Sequence, residues 1–179
     1  MKVVVISGKA RHGKDTLASY MEECLTKSYD KKVLIIHYGD LLKYICRSLF
    51  HWNGNKDDAG RTLLQYVGTD VIRKQDPDFW VRFVADILRF FPDKWDYVLI
   101  PDARFPNEIE GLSEFHPYYI RIERPGYNEL TQEQQKHLSE TALDGYGKAW
   151  ARVNNNGSLE DLRSSAHILC EKLMGEETK

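Results

Sequence analysis

A chain of 179 residues that is 29% charged and 42% hydrophobic has the makeup of one ordinary globular domain, long enough to bury a core. Its net charge of −2 gives nucleic acid or a membrane surface no bulk electrostatic reason to bind, so an anionic ligand would need a local cluster of cations. Cys24, Cys46 and Cys170 are scattered, without metal-binding spacing, and with an N-terminal apolar run (Val3 to Ile6) too short for a signal peptide and nothing near a membrane span they place the chain in the reducing cytoplasm.

In chain order, the β-branched run at 2–7 (KVVVIS) reads as a buried strand, and Leu17, Met21 and Leu25 then repeat at helical spacing. A second strand at 33–37 precedes helical faces made by Leu42, Ile45, Cys46 and Leu49, by Leu64, Val67 and Val71, and by Phe83, Val84, Ile87, Leu88 and Phe91. Strands follow at 97–101 and 117–123, a weaker one at 150–154, and a last helix carries Leu159, Leu162, Ala166, Leu169 and Leu173 with Ser158 as its N-cap. Alternating strands and helices predict an α/β fold with a mainly parallel five-stranded sheet covered on both faces. Two stretches interrupt the alternation, 40–93 with three helices and the polar 124–148. Insertions near the carboxyl ends of strands surround the ligand crevice of such sheets, so we read them as an acceptor-binding helical insertion and a lid on a single domain, 1–179.

Between the first strand and the first helix lies "ISGKARHGKDT", residues 6–16. It matches the phosphate-binding pattern G-x-x-x-x-G-K-[ST] except that Asp15 replaces the hydroxyl residue. Strand before and helix after are what the motif needs, because loop N–H groups and the helix N-terminus cradle the phosphates while Lys14 reaches the β- and γ-phosphates. A carboxylate there repels a triphosphate unless a cation intervenes. Asp15 therefore either contacts Mg²⁺, directly or through water, with the Thr16 hydroxyl one position on, or only favours the helix start electrostatically.

The string G-x-x-x-x-G-K-D-T, together with "LLQYVGTDVIRKQDPDFWV" (63–81), "LIPDARFPNEIE" (99–110), "HLSETALD" (137–144) and "NNNGSLEDL" (154–162), resembles the bacteriophage deoxynucleoside monophosphate kinases. These are a branch of the P-loop nucleoside monophosphate kinases, and the likeness spans most of the chain. It implies a P-loop NTPase three-layer α/β/α fold and transfer of the ATP γ-phosphoryl to a (deoxy)nucleoside 5′-monophosphate, with ATP and Mg²⁺ as cofactors. ATP would be held by Gly8, Arg11, His12, Gly13, Lys14, Asp15 and Thr16, unless His12 is only a spacer. Arg121 and, from the C-terminal string, Asn155 and Gly157 would complete its site. Partners would be small nucleotides, not nucleic acid or membrane, and a homodimer stays open.

A phosphate monoester is already an anionic nucleophile and needs no general base; joining two anions takes metal and guanidinium groups. Arg73 resembles the family's acceptor-phosphate arginine, or is a helix-end arginine. Arg104 and Asp102 resemble its D-x-R, with Asp102 holding Mg²⁺ through water or only capping a turn. Arg121 and Arg124 flank the fourth strand's end, and Arg124 is favoured as the lid arginine. Asp40, with Lys43 one turn on, faces the acceptor sugar, caps its helix, or does both. Gln65 and Tyr66 are candidate base contacts, and Trp80 reads as core or as a stacking ring. His137, Ser139 and Glu140 match a family H-x-S-E stretch that a solvated helix would also supply. Two other readings stand beside this one: a kinase for another phosphorylated metabolite such as phosphomevalonate, whose animal enzymes carry a similar G-K-D loop, and a nucleotide-dependent switch. The switch lacks an N-K-x-D string and leaves the arginine-rich insertion without a purpose.

Overall fold

Val3, Val4, Val5 and Ile6 are fully buried because β1 (Lys2–Ser7) is the central strand, with helices on both of its faces. In the computed structural model, which describes residues 1–55, 57–127 and 130–176, it pairs in parallel with β3 (Tyr97–Ala103) on one side and β4 (Tyr118–Glu123) on the other. Lys56 of the expected insertion and Asn128 and Glu129 of the expected lid lie outside the described residues. β2 (Val33–Ile35) and β5 (Ala151–Asn154) are the outer strands, so the sheet reads β2-β3-β1-β4-β5, parallel throughout. The strand order reverses about β1, and the crevice at the carboxyl ends of β1 and β3 is where open α/β sheets bind ligands.

Helix α1 (Lys14–Tyr29) joins β1 to β2. Between β2 and β3 come α2 (Gly39–Phe50), α3 (Asp58–Gln65), a π-helix (Tyr66–Arg73) that continues α3 without a break, and α4 (Phe79–Phe90). The short α5 (Pro106–Glu110) follows β3, α6 (Gln132–Lys136) and α7 (Leu138–Thr141) lie between β4 and β5, and α8 (Leu159–Gly175) ends the fold. Alternation along the strands sorts the core into two layers. Val4, Ile6, Leu99, Ile120 and Ile122 face α1 and α8, whereas Val3, Val5, Val98 and Ile100 face Trp80, Val84 and Leu88 of α4. The result is the three-layer α/β/α arrangement. Ser158 caps α8 in a reciprocal box with Asp161.

The differences from the sequence reading are local. β2 stops at Ile35, since the chain turns at His37 into α2; β3 runs on to Ala103, which places Asp102 inside the strand's end. Leu49 and Phe91 lie at 70% and 50% exposure, outside the apolar faces assigned to them. The segment 39–73 has a small core of its own, Cys46, Trp52 and Val67 with Leu63 and Leu64 packed around. Among the described residues no helix is long and apolar enough to cross a membrane.

Candidate active site

The loop between β1 and α1 holds its shape through two glycines. Gly13 has φ +96, and a Cβ there would stand 2.6 Å from Asn155 Nδ2; at Gly8 a Cβ would meet the Ile122 carbonyl oxygen at 2.4 Å. Asn155 Nδ2 donates to the His12 carbonyl at 3.0 Å, so the residue that follows β5 braces the loop from behind. The Lys14 ammonium donates to the carbonyls of Gly8 and Lys9, both at 2.9 Å. Burial, and after it the Arg104 charge, lower its pKa to about 7, while Glu140, Asp15 and Asp102 pull it back.

His12 takes the role of a brace. Its Nδ1 accepts the Arg124 backbone N–H at 3.1 Å, which leaves the proton on Nε2, 3.4 Å from the Tyr127 carbonyl. Burial lowers its pKa, in keeping with a neutral ring. The loop is thereby tied to the chain leaving β4.

Where β3 ends, Asp102 faces the start of α2. Its Oδ1 accepts the Tyr38 N–H at 3.0 Å and its Oδ2 the Gly39 N–H at 2.9 Å, satisfying two N–H groups that a helix start leaves open. Asp40 is not the N-cap. It sits in the first turn of α2, accepts the His37 N–H at 3.0 Å and pairs with Lys43 at 2.9 Å. His37 joins this acid to the odd one in the loop: Nε2 lies 3.1 Å from Asp15 Oδ1 and Nδ1 3.3 Å from Asp40 Oδ2. The Asp15 hydrogen bond raises the imidazole above its usual range against partial burial.

Opposite the loop, the centre of the polar network is Glu108 of α5, which is 2% exposed. Its Oε2 accepts the N–H groups of Arg104 (2.6 Å) and Phe105 (3.0 Å), and its Oε1 pairs with Arg73 Nη2. Arg73 Nη1 also reaches the Pro77 carbonyl at 3.2 Å and Asn107 Oδ1 at 3.3 Å, and the guanidinium lies 3.9 Å from the Phe105 ring centroid. Arg73 is thus more than a helix-end arginine: it bridges the π-helix to α5. Burial pushes the Glu108 carboxyl up to about 7, with Arg73 opposing. The Tyr38 hydroxyl donates to the Glu108 carbonyl.

Most of these groups surround one cavity of about 520 Å³, with Asp40 and His12 outside its lining. It gathers Arg11, Lys14, Asp15, Lys43, Gln65, Arg73, Trp80, Asp102 and Arg104 from the sequence reading. Trp80 touches it from the core: it is 3% exposed and its indole N–H is spent on the Gly68 carbonyl at 3.0 Å, so its ring is packed rather than offered. Tyr66 is 55% exposed and lies outside the lining, because the π-helix turns it to solvent. Arg124 also lies outside, its guanidinium 4.0 Å from the Tyr127 ring centroid. Arg121 is buried on β4 and held by Asp144 (3.1 Å) and Glu123 (3.3 Å). Gly157 packs on the Asp161 carboxylate in the α8 cap, and Thr16 is half-buried in the first turn of α1.

The sequence reading passed over His37, Arg61 and Glu108, which line the cavity, and left Glu140 undecided. Glu108 had a signal, its place in "DARFPNE" six residues after Asp102. His37 had none beyond standing next to a strand end.

A family model described as Deoxynucleotide monophosphate kinase matches residues 43–166, more than half of the chain. The deoxynucleotide monophosphate kinase of Enterobacteria phage T4 is 32% identical over 109 residues, which cover 58% of this chain and 42% of that protein. The chain thus spans less than half of that relative's length. A relative in Acanthamoeba polyphaga mimivirus is 27% identical over 190 aligned positions, 92% of this chain and 93% of its own length. Among solved structures, a gluconokinase from Sinorhizobium meliloti 1021 superposes with a TM-score of 0.54 at 14% identity, covering 99% of this chain and 95% of its own, a likeness of fold.

Proposed function

The chain belongs to the deoxynucleotide monophosphate kinase family, and on that premise we propose that it moves the γ-phosphoryl of ATP to a deoxynucleoside 5′-monophosphate. The observation that carries the reading is the shared cavity: the phosphate-loop Lys14 and the strand-end Asp102 face the same space as Arg73 and Gln65 of the insertion. Donor and acceptor would meet there without crossing solvent. An oxygen of the acceptor phosphate attacks the γ-phosphorus, the bond to the β–γ bridging oxygen breaks, and ADP leaves. No proton need be removed from the nucleophile, so the protein's task is to hold two anions in line. Lys14 and Arg104 neutralise the phosphoryl in flight, Arg73 holds the acceptor phosphate, and Gln65 offers an amide to its base. We take residues 40–93 as the acceptor-binding insertion and 124–148 as the lid of a single cytoplasmic domain.

Mg²⁺ fits the donor set. Asp15 and Asp102 present hard carboxylate oxygens to the cavity beside Lys14, and Thr16 adds a hydroxyl next to Asp15. Bound there, the ion would screen the phosphates from each other and from Asp15. His37 keeps Asp15 turned toward the crevice in the meantime.

The test is coupled ADP release with dGMP, dTMP, dCMP, dAMP, the ribonucleotides and phosphomevalonate as acceptors. Turnover with one or more deoxynucleoside monophosphates is expected. Turnover with phosphomevalonate alone, or ATP hydrolysis indifferent to every acceptor, would sink the assignment.

A further inference from the structure

Glu140 is the lid acid that turns inward, its side chain only 7% exposed. Its Oε2 accepts the Ala10 N–H at 3.0 Å, and its Oε1 pairs with Arg104 Nη1 at 2.7 Å. The turn before it sets this direction: His137 Nδ1 accepts the Ser139 N–H at 3.2 Å and so starts α7, on which Glu140 is carried. Lys14 stands close by, with its Nζ on the carbonyls of Gly8 and Lys9, the two residues that precede Ala10. Both Arg104 and Glu140 act on its charge.

A loop N–H, a guanidinium and a lysine ammonium converging on one spot are the equipment that holds a terminal phosphoryl group. The carboxylate found there is another oxyanion with the same taste in donors. Each of its oxygens takes one of them, and a second anion can have neither the single Ala10 N–H nor the Arg104 Nη1 while the carboxylate holds them.

We propose that Glu140 is a specificity-determining residue of the donor site, whose carboxylate competes with the terminal phosphoryl of a nucleoside triphosphate for the Ala10 N–H and Arg104. A triphosphate must displace it, and a diphosphate, which ends one phosphoryl short, need not. The lid's hold on the loop is therefore coupled to which nucleotide is present. Displacement hands Arg104 to the phosphoryl, and departure of the γ-phosphoryl to the acceptor lets Glu140 return. Part of the triphosphate's intrinsic affinity is consumed in the exchange, while that of the diphosphate is untouched. The inference rests on the phosphotransfer reading and adds to it a means of telling donor from spent donor.

Calorimetric titration of the full chain with ADP and with non-hydrolysable AMPPNP, each with Mg²⁺, separates the cases. Glu140→Gln keeps the size of the side chain and removes its charge; AMPPNP should bind about tenfold tighter, the worth of one charge-assisted hydrogen bond, and ADP about as before. Glu140→Ala should show the same preference, and a thermal melt of each variant confirms that it is folded. Equal shifts for the two nucleotides, no shift, or weaker AMPPNP binding in the variants would overturn the competition. If the unmodified chain binds neither nucleotide, the phosphotransfer reading falls and takes this inference with it. Normal turnover with an unmoved AMPPNP affinity removes the Glu140 assignment alone.

Discussion

On the phosphate-loop side of the crevice the working groups hang from the sheet. β1 runs straight into the loop, Asp102 lies in the end of β3, and Lys14 is fastened to main-chain carbonyls five and six residues before it. Across the cavity the counterpart is made of helices that form a small core of their own and join the sheet through side chains. Arg73 meets Glu108 there, and Trp80 reaches the Gly68 carbonyl. In the first construction Lys14 adds its charge to a loop already shaped by its glycines and braced by Asn155, although Asp102 also closes the start of α2. In the second, the arginine that we propose holds the acceptor phosphate is also a strut.

The largest effect should come from the first side. Lys14→Met should cut kcat on the order of a hundredfold or more, with the melting temperature unchanged or higher because a charge leaves a buried position. Coupled ADP release and a thermal melt on the same sample decide it. A variant that loses its fold together with its activity would erase the contrast.

On the second side, Arg73→Ala should do two things at once. The acceptor KM should rise about 10- to 100-fold with ATP affinity unchanged, as for one charge-assisted pair. Stability should fall by about 3 kcal/mol in denaturant titration, since Glu108 would be left buried without its cation. A stability loss with an unmoved KM would reduce Arg73 to a strut alone.

The smallest effect concerns Glu108 itself. Its carboxyl holds its proton to about pH 7 in the fold, above the ordinary carboxylate range. Between the unfolded value near about 4.3 and the folded value, the folded chain binds more protons. Stability contributed by this group must then decline as pH rises through that window and level off above it. The stability of the parent minus that of Glu108→Gln, measured from pH 5 to 8, should slope downward; a flat or rising difference would mean that Arg73 keeps the carboxylate ionised throughout.

The same contrast explains what could be read from the sequence. A strand, a glycine-rich loop and a helix in succession lie within thirty residues, so local pattern exposes Lys14, and Asp102 ends an apolar run that could only be a strand. Arg73 and Glu108 are thirty-five residues apart, and their meeting depends on how the π-helix and α5 pack, which no periodicity carries. His37 and Glu140 are of the same kind: polar residues whose partners, Asp15 and Ala10, are distant in sequence. For Arg124, a position at the entrance of the expected lid says nothing of which way the long side chain turns, and a neighbouring Tyr127 ring gives it a resting surface. The end of β2 is set by the turn at His37, and the helix read from Leu64, Val67 and Val71 is wound as a π-helix over 66–73, which spacing alone does not carry.

The π-helix carries a consequence for length variation in this family. Lys74 N–H closes back to the Thr69 carbonyl, five residues earlier, so Tyr66–Arg73 holds more residues per turn than an α-helix. Deleting a single residue from it would let the segment relax to α geometry at little backbone cost, and the chain beyond would keep nearly its orientation, because the wide turn is what absorbs the extra residue. Arg73, at its end, would stay near Glu108, and only the side chains inside the wide turn would change face. A gap of one position between 66 and 73 in a relative is therefore a smaller change than one in α4, where every residue beyond it would turn by about 100° against the sheet.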